Sequence, residues 1–261
     1  MNYQFLYLVT FQYLGFRFHG WQKQPNLKTV HWAVDKTLKF ISKTRFKTVG
    51  VGRTDAKVSA FNYYFELFVD EKLDEVGFIQ EFNTNSPADI KALAIKRITD
   101  ENFNIIQHPK IKEYHYYFSF GEKNHPYCAP FLTGYIDNLD VDLMKKGAKL
   151  FEGYHNFVHY CTKPSEATKV KRTIDVCCIK ENTELTASFF PKKSYVLIIK
   201  GEGFLRNQIR LIMGALVELG KGNYSLDFIK QSLKVSEKES FLKTIAPASG
   251  LHLHAITLKK I

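Results

Sequence analysis

The chain has 261 residues, of which 45% are hydrophobic, so it can build a large core, and a disordered protein is excluded. Lys and Arg number 37 against 26 Asp and Glu, and this formal net charge of +11 favours a polyanionic partner such as nucleic acid. There is no long uninterrupted apolar run, so no membrane-spanning segment and no membrane partner are expected.

The first 105 or so residues alternate between strand and helix patterns. Strands are predicted at 3–12, 61–69 and 90–98, which are rich in aromatic and branched residues. Helices are predicted at Thr29–Ile41, where apolar residues recur with helical spacing, and at Leu73–Phe82. The segment 50–60 is predicted to be a loop. The resulting β-α-β-α-β order is typical of a sheet with helices on one face.

The second part of the chain has a similar mixture. Strands are predicted at 112–120, near 173–181 and 194–201, and at His252–Leu258. Helices are predicted at Val141–Phe151, Arg206–Leu219 and Leu226–Leu233. We therefore expect two α+β domains, an N-terminal one at 1–108 and a C-terminal one at 109–261.

Features that report on cellular location agree with one another. The N-terminal stretch alternates like a strand and lacks the basic region of a signal peptide. The four cysteines form no C-x-x-C pair, so neither a disulfide framework nor a zinc knuckle is expected. We expect a cytoplasmic protein.

The first segment with chemical potential is Gly-Arg-Thr-Asp-Ala at 52–56. Taken alone, it is typical of a tight turn, because Asp and Thr are common turn residues. A carboxylate such as Asp55 on a loop can instead act as a nucleophile, provided that a cation keeps it ionised.

A second segment, Lys-Glu-Tyr-His-Tyr at 112–116, has strand alternation that puts Tyr114 and Tyr116 on one face. The pair is accounted for by packing alone. In an RNA enzyme, a tyrosine beside the carboxylate could also stack on an extruded base or move a proton.

A third segment, 201–214, passes from a strand into a helix through two glycines. Arg206 and Arg210 are four residues apart, which predicts one shared helix face. This is either a solvated basic face or a site where one arginine orients the Asp55 carboxylate.

The opening segment, 13–24, alternates aromatic residues with basic and amide residues. Such groups stack on bases and bind phosphates, although core packing explains the aromatic residues equally well.

Taken together and in this order, the four segments resemble the tRNA pseudouridine synthase A family. That family has a Tyr-Asp-Gly-Thr…Phe…Gly-Trp-Gln opening, a Gly-Arg-Thr-Asp core, a basic-x-Tyr-x-Tyr strand and a Phe-Leu…Val-Arg helix start. Weaker similarities lie between these motifs and after the last of them, for example Phe-Glu-Gly at 151–153 and Ala-Pro-Ala-Ser-Gly-Leu at 246–251. The resemblance therefore covers nearly the whole chain.

The resemblance implies a fold and an activity. The fold is two ferredoxin-like or RRM-like halves joined in a continuous, mostly antiparallel sheet, with helices on one face and a basic cleft between the halves. The activity is isomerisation of uridine to pseudouridine at positions 38 to 40 of the tRNA anticodon arm, by a homodimer that needs neither metal nor organic cofactor. The target nucleotide has to be flipped out of its stack.

The resemblance also assigns roles to individual residues. Asp55 is the nucleophile, Tyr114 packs on the base and helps to remove the C5 proton, and Arg210 pairs with the aspartate. Substrate contacts are expected from a second group of residues: Arg53, Thr54, Lys57, Trp21, Gln22, Phe204 and Arg206. Whether the nucleophile attacks C1′ of the ribose or C6 of the uracil stays open.

The chain departs from the family pattern at several positions. After Gly-Arg-Thr-Asp-Ala the family usually has Gly-Val-His, where this chain has Lys57, Val58 and Ser59. Lys57 could contact a phosphate or compete with Arg210 for Asp55. In the opening segment, Leu14 stands where the family usually has Asp, and Phe16 where it usually has Thr. Further along the chain, Asn156 replaces another Asp. These departures bear on substrate choice, so a divergent pseudouridine synthase acting on another RNA is an alternative.

Two further interpretations belong to other classes of protein. A non-catalytic RNA-binding protein on the same scaffold predicts RNA binding that survives Asp55→Ala without base turnover. A metal hydrolase would use His155 and His159, whose spacing fits one helix face, but position 156 is Asn where the base would be Glu. Gly153 nearby favours a loop over a helix.

Overall fold

The computed structural model describes residues 3–234, 242 and 244–259. Eleven strands and five helices lie in this part of the chain, and the strands pair mostly antiparallel, so the predicted α+β class is confirmed. The chain divides into two compact units, Met1–Lys110 with Leu253–Ile261, and Ile111–His252. Residues 253–261 thus group with the first unit. The division into domains 1–108 and 109–261 stays a prediction.

The first unit has the element order β-α-β-β-α-β of a ferredoxin-like half. Its strands are paired in the order β4–β1–β3–β2, and the last strand of the chain, β11, pairs with β3. The elements are β1 (Phe5–Tyr13), α1 (Val30–Ile41), β2 (Phe46–Gly50), β3 (Ser59–Val69), α2 (Glu75–Asn85), β4 (Ile90–Ile98) and β11 (Leu251–Leu258).

One strand of this unit is absent from the sequence-based prediction. The expected β-α-β-α-β order is wrong because β2 forms between α1 and β3 and pairs with the second half of β3. The strand has five residues, and only Thr48 among them is buried. A segment this short, with one buried side chain, has no recognisable strand periodicity. Its partner β3 supplies the hydrogen bonds that make it a strand.

Aromatic side chains form the core under the functional loops of the first unit. The Phe11 ring meets the rings of Tyr63 and Phe65 edge-on, with centroid distances of 5.3 and 5.2 Å. Helix α1 begins at Val30 because the preceding Thr29 accepts a hydrogen bond from the Trp32 backbone N–H through its hydroxyl group. These contacts make a rigid base for the loops after β1 and β2.

The second unit contains a three-stranded antiparallel sheet in the order β5–β10–β9, with β6 added parallel to β5, and a separate β7–β8 hairpin. Its elements are β5 (Lys110–Phe120), β6 (Thr133–Tyr135), α3 (Val141–Lys149), β7 (Gly153–Asn156), β8 (Lys171–Ile174), β9 (Val176–Glu181), β10 (Tyr195–Gly201), α4 (Gln208–Gly220) and α5 (Leu226–Ser232).

Helix α4 is the most deeply buried helix of the second unit, since almost all of its residues are inaccessible. Helix α3 packs closely on it at Gly147, where a Cβ atom would lie 2.3 Å from a methyl group of Leu219. Across the described residues, we find no helix long and apolar enough to cross a lipid bilayer.

Candidate active site

Asp55 lies, half-buried, in the connection between β2 and β3, residues 51–58. We call this segment the Asp loop. Two backbone hydrogen bonds attach it to the segment that follows β1. Trp21 N donates to Thr54 O at 3.2 Å, and Lys57 N donates to Phe18 O at 3.0 Å. The residues on both sides of Asp55 are therefore held through main-chain groups.

Gly20 makes this close approach of two loops possible. Its φ of +79° is in the left-handed region, and a Cβ atom there would lie 2.4 Å from Thr54 O. A side chain at this position would collide with the backbone beside Asp55. The Thr54 hydroxyl group is also hydrogen-bonded to the Tyr13 hydroxyl group at 2.9 Å, so side-chain and backbone contacts restrain the same residue.

Three of the predicted substrate contacts lie on the surface of the first unit. Arg53, Lys57 and Gln22 are exposed, so their charged and amide groups are accessible to a ligand from solvent.

Trp21, in contrast, is only 2% exposed, although the sequence suggested a substrate contact. Its ring stacks on Tyr63 with a centroid distance of 4.5 Å and on His31 at 4.9 Å. A ring this deeply buried has no exposed face on which a base could stack. The backbone N–H of Trp21 donates to Thr54 O, and this bond helps to hold the Asp loop in place.

The structure explains how the Asp loop accommodates two departures from the family pattern. Lys57 adopts a left-handed φ of 68°, a conformation that glycine adopts at little cost. Its ammonium group lies over the Phe16 ring at 5.7 Å, so two of the departing residues contact each other. Ser59 accepts a hydrogen bond from Gly15 N at 2.9 Å and thereby satisfies a buried donor.

In the second unit, Tyr114 lies on β5, opposite Ile199 of β10. The tyrosine is 8% exposed, and its ring meets the Phe204 ring edge-on at 5.4 Å and 88°. Phe204 lies in the connection between β10 and α4 and is half-buried. Two of the predicted site residues are therefore in direct contact.

Tyr116, two residues along the same strand, is fully buried. Its hydroxyl group donates to Pro247 O at 2.8 Å and is hydrogen-bonded to Thr133 Oγ1 at 2.9 Å. Burial raises the pKa of this phenol to about 12, so it remains protonated at neutral pH and keeps donating to the carbonyl group.

Arg210 lies in the first turn of α4 and is anchored through its own guanidinium group. Its Nε donates to Ala246 O at 2.7 Å, and its Nη1 donates to Asn207 Oδ1 at 3.1 Å. The backbone N–H of Ala246 returns a bond to Arg210 O at 3.0 Å. The plane of the guanidinium group is thereby fixed at two points.

The expectation that Arg206 shares a helix face with Arg210 is wrong. Helix α4 begins at Gln208, because Asn207 has a left-handed φ of 59° and interrupts the helical path. Arg206 lies before this break and is exposed. A helical spacing in sequence does not place residues on one face when a left-handed residue separates them.

His155 and His159 do not lie on a helix either. Strand β7 ends at Asn156, and a short 3-10 turn at Val158–Tyr160 contains the second histidine. His155 Nε2 is hydrogen-bonded to Glu152 O at 2.7 Å. The helical geometry that the metal-hydrolase interpretation requires is absent from these residues.

The two units therefore contain different parts of the predicted set. Thr54, Asp55 and Lys57 share the Asp loop, and in the second unit Tyr114 contacts Phe204. No role was predicted from the sequence for Asn207 or Tyr116, or for the carbonyl groups of 246 and 247 that Arg210 and Tyr116 contact. The Ala-Pro-Ala-Ser-Gly similarity at 246–250 was the one signal that pointed to the last pair.

Comparison with known proteins identifies the family. A family model described as tRNA pseudouridine synthase matches residues 148–257. The tRNA pseudouridine synthase A of Thermosipho africanus is 33% identical over 263 residues, covering 96% of this chain and 98% of that protein. The enzymes of the same name from Dictyoglomus thermophilum and Aquifex aeolicus are 32% and 29% identical, over 95% and 97% of this chain and 97% and 99% of their own lengths. The chain belongs to the tRNA pseudouridine synthase A family.

Proposed function

We propose that this protein is a tRNA pseudouridine synthase, an isomerase that converts uridine to pseudouridine at positions 38 to 40 of the anticodon arm, with Asp55 as its nucleophile. The observation that carries the proposal is the Asp loop. It presents a half-buried carboxylate from a backbone fixed by hydrogen bonds on both sides. A fixed nucleophile needs little reorganisation to reach the attacking geometry. Family membership supplies the reaction class.

The proposed reaction exchanges one bond for another within the same nucleotide. Asp55 attacks the nucleoside, the bond between C1′ and N1 breaks, and the uracil turns over. A new bond forms between C1′ and C5, and the bond to Asp55 breaks and returns the free carboxylate. The proton on C5 is released, and N1 gains a proton. Attack at C1′ of the ribose and attack at C6 of the base both remain compatible with this sequence of steps. Electrons balance without an oxidant or a reductant, so we expect no cofactor.

We propose that Arg210 pairs with the Asp55 carboxylate and keeps it ionised, and that Tyr114 packs on the turning base and assists loss of the C5 proton. An arginine anchored at two of its nitrogen atoms is suited to holding a carboxylate in one orientation. A tyrosine ring held edge-on by Phe204 is suited to packing against a planar base.

We propose that the accessible basic and amide side chains, together with Thr54 and Phe204, bind the RNA backbone and the flipped nucleotide. The expected contacts are Arg53, Thr54, Lys57, Gln22, Phe204 and Arg206, and Trp21 supports the Asp loop from beneath. With a net charge of +11, the protein is expected to bind tRNA more weakly as salt rises, because phosphate contacts release counterions. By family resemblance, we also propose a homodimer that acts in the cytoplasm.

The test is release of tritium from tRNA labelled at uridine C5, because only formation of the new C5 bond expels that label. We expect release with the native protein and a reduction of at least about 1,000-fold in the rate for Asp55→Asn. Asp175→Asn is the matched control, since it removes an exposed carboxylate between β8 and β9. It should release tritium like the native protein.

The other outcomes discriminate among the alternatives. If tRNA binds but the native protein releases no tritium, the protein either binds RNA without catalysis or acts on a different RNA. A panel of labelled ribosomal and small RNAs then separates these two. If Asp55→Asn retains full activity, Asp55 is not the nucleophile.

A further inference from the structure

Asn207 occupies the N-cap position of α4, but its side chain makes no capping hydrogen bond to a backbone N–H of the helix. An asparagine at this position normally accepts a bond from a backbone N–H group of the first turn. Here both ends of the amide are used elsewhere. Oδ1 accepts from Arg210 Nη1 at 3.1 Å, and Nδ2 donates to Thr162 Oγ1 at 2.9 Å. Its left-handed φ of 59° turns the side chain away from a capping geometry.

This amide holds the Arg210 guanidinium group at Nη1. Ala246 O holds the same group at Nε. With both bonds in place, rotation about the terminal side-chain torsions of Arg210 would break at least one of them. The bond to Asn207 holds Nη1 in addition to Nε, so two separate atoms of the planar group are restrained. Asn207 therefore restrains the orientation of the arginine.

The far end of the amide is attached to a basic surface segment. Thr162 is the first residue of 162–172, and its backbone N–H donates to Arg206 O at 3.2 Å. This segment, which we call the basic segment, has four basic residues and one acidic residue, a net charge of +3. Its basic members Lys163, Lys169 and Lys171 are exposed, and Arg172 is half-buried. Such a surface attracts phosphate groups of RNA.

We infer that Asn207 is a positioning residue that fixes the orientation of Arg210 and joins it, through Thr162, to a basic segment that binds the RNA backbone. The inference rests on the proposed function, since it gives Arg210 a part in the reaction. It adds a side chain to which the sequence motifs assigned no role. It also predicts that the hydroxyl group of Thr162 affects the chemical step although this residue does not touch the base.

The test compares two substitutions of one residue. Thr162→Val keeps the shape of the side chain and removes the hydroxyl acceptor, whereas Thr162→Ser keeps that acceptor. With C5-tritiated tRNA, we expect Thr162→Val to lower kcat about fivefold while KM changes less than about twofold. Thr162→Ser should behave like the native protein. Asn207→Gly keeps the left-handed backbone and removes the amide, so a loss of about tenfold in kcat is expected.

A double-mutant cycle separates positioning from general stability. Lysine at 210 cannot make both anchoring bonds, so Thr162→Val should cause less than about a twofold further loss in an Arg210→Lys background. The same fivefold loss in both backgrounds would overturn the inference, because Thr162 would then act independently of the arginine. A lowered melting temperature with unchanged kcat for both Thr162→Val and Asn207→Gly would also overturn it.

Failure of the inference can be told apart from failure of the proposed function. If the native protein releases no tritium from any RNA, the proposed function fails. If the native protein is active and Thr162→Val and Asn207→Gly match it, the enzyme stands and the positioning role is wrong. Should Thr162→Val be recovered unfolded, Asn207→Gly in the native and Arg210→Lys backgrounds gives the same comparison.

Discussion

The Asp loop and the first turn of α4 present the two oppositely charged groups of the proposed chemistry, and main-chain and side-chain bonds hold the two regions in different proportions. The Asp loop is attached through main-chain bonds, from Trp21 N to Thr54 O and from Lys57 N to Phe18 O. Arg210 is attached through its own side chain, to the amide of Asn207 and the carbonyl group of Ala246.

This contrast indicates where each region tolerates sequence change. Main-chain bonds do not depend on side-chain identity, so the loop can keep its path with Lys57 and Ser59 where the family usually has Gly and His. Side-chain bonds do depend on identity, because lysine or glutamine cannot reproduce the donors of arginine. We therefore expect the Asp loop to be disrupted mainly by substitutions that cause backbone collisions. The start of α4 should be disrupted mainly by loss of particular side chains.

The largest effect is expected from a backbone collision at Gly20. Gly20→Ala would put a Cβ atom 2.4 Å from Thr54 O at a left-handed φ, so the loops must separate. We expect the free energy of unfolding to fall by about 3 kcal/mol or more in denaturant titrations. Gly222→Ala is the matched control, with the same φ of +79° and no atom within 4 Å. It should cost only about 1 to 2 kcal/mol. Equal losses would show that contact with the Asp loop is unimportant.

A somewhat smaller effect, on activity and not on folding, is expected at Arg210. Arg210→Lys removes the fork that contacts Ala246 and Asn207, and kcat for tritium release should fall about 100-fold with little change in melting temperature. Arg206→Lys is the control, because Arg206 is exposed and lies outside the helix. It should raise KM by less than about threefold. Full activity of Arg210→Lys would show that the hydrogen bonds of the Arg210 side chain are not needed for the reaction.

The smallest effect is expected where the Asp loop carries a strained residue. Lys57→Gly relieves a left-handed φ of 68°, a gain of about 1 to 2 kcal/mol, offset in part by the greater freedom of glycine in the unfolded chain. The net expectation is a stabilisation of about 0.5 to 1 kcal/mol. Lys57→Ala keeps the strain and should not stabilise. Both variants should weaken tRNA binding, because each loses about one phosphate contact. The slope of the logarithm of the binding constant against the logarithm of the salt concentration should therefore fall by about one. Equal stability of both would contradict the strain argument.

Sequence periodicity was sufficient for most of the longer elements and insufficient for the short strand β2 and for the ends of elements. The strand predicted at 90–98 is confirmed as β4, and alternation in 112–120 correctly predicts most of β5. Helix α4 starts two residues later than predicted, because left-handed backbone at Asn207 leaves no trace in an apolar pattern. The core position of Trp21 depends on Tyr63, which is 42 residues away in sequence, and no local pattern reports such a partner.

The site divides in the same way. The motif around Asp55 was recognisable because it has the residue types of the family motif at the same spacing. The contacts that position the Asp loop and Arg210 were not recognisable from the sequence. The Gly15–Ser59 bond spans 44 residues, and the Asn207–Thr162 bond spans 45. Long-range contacts between common residue types become visible only when the fold brings them together.

The most direct test of whether Asp55 forms pseudouridine in the anticodon arm is to map the product. A tRNA transcript with uridines at 38, 39 and 40, together with versions that carry cytidine at each position in turn, is incubated with native protein and with Asp55→Asn. Pseudouridine is then located in the RNA. We expect it at one or more of the three positions with native protein, lost when that uridine is replaced, and absent with the variant. Equal formation by Asp55→Asn, or no pseudouridine in the anticodon arm with native protein, would contradict the account.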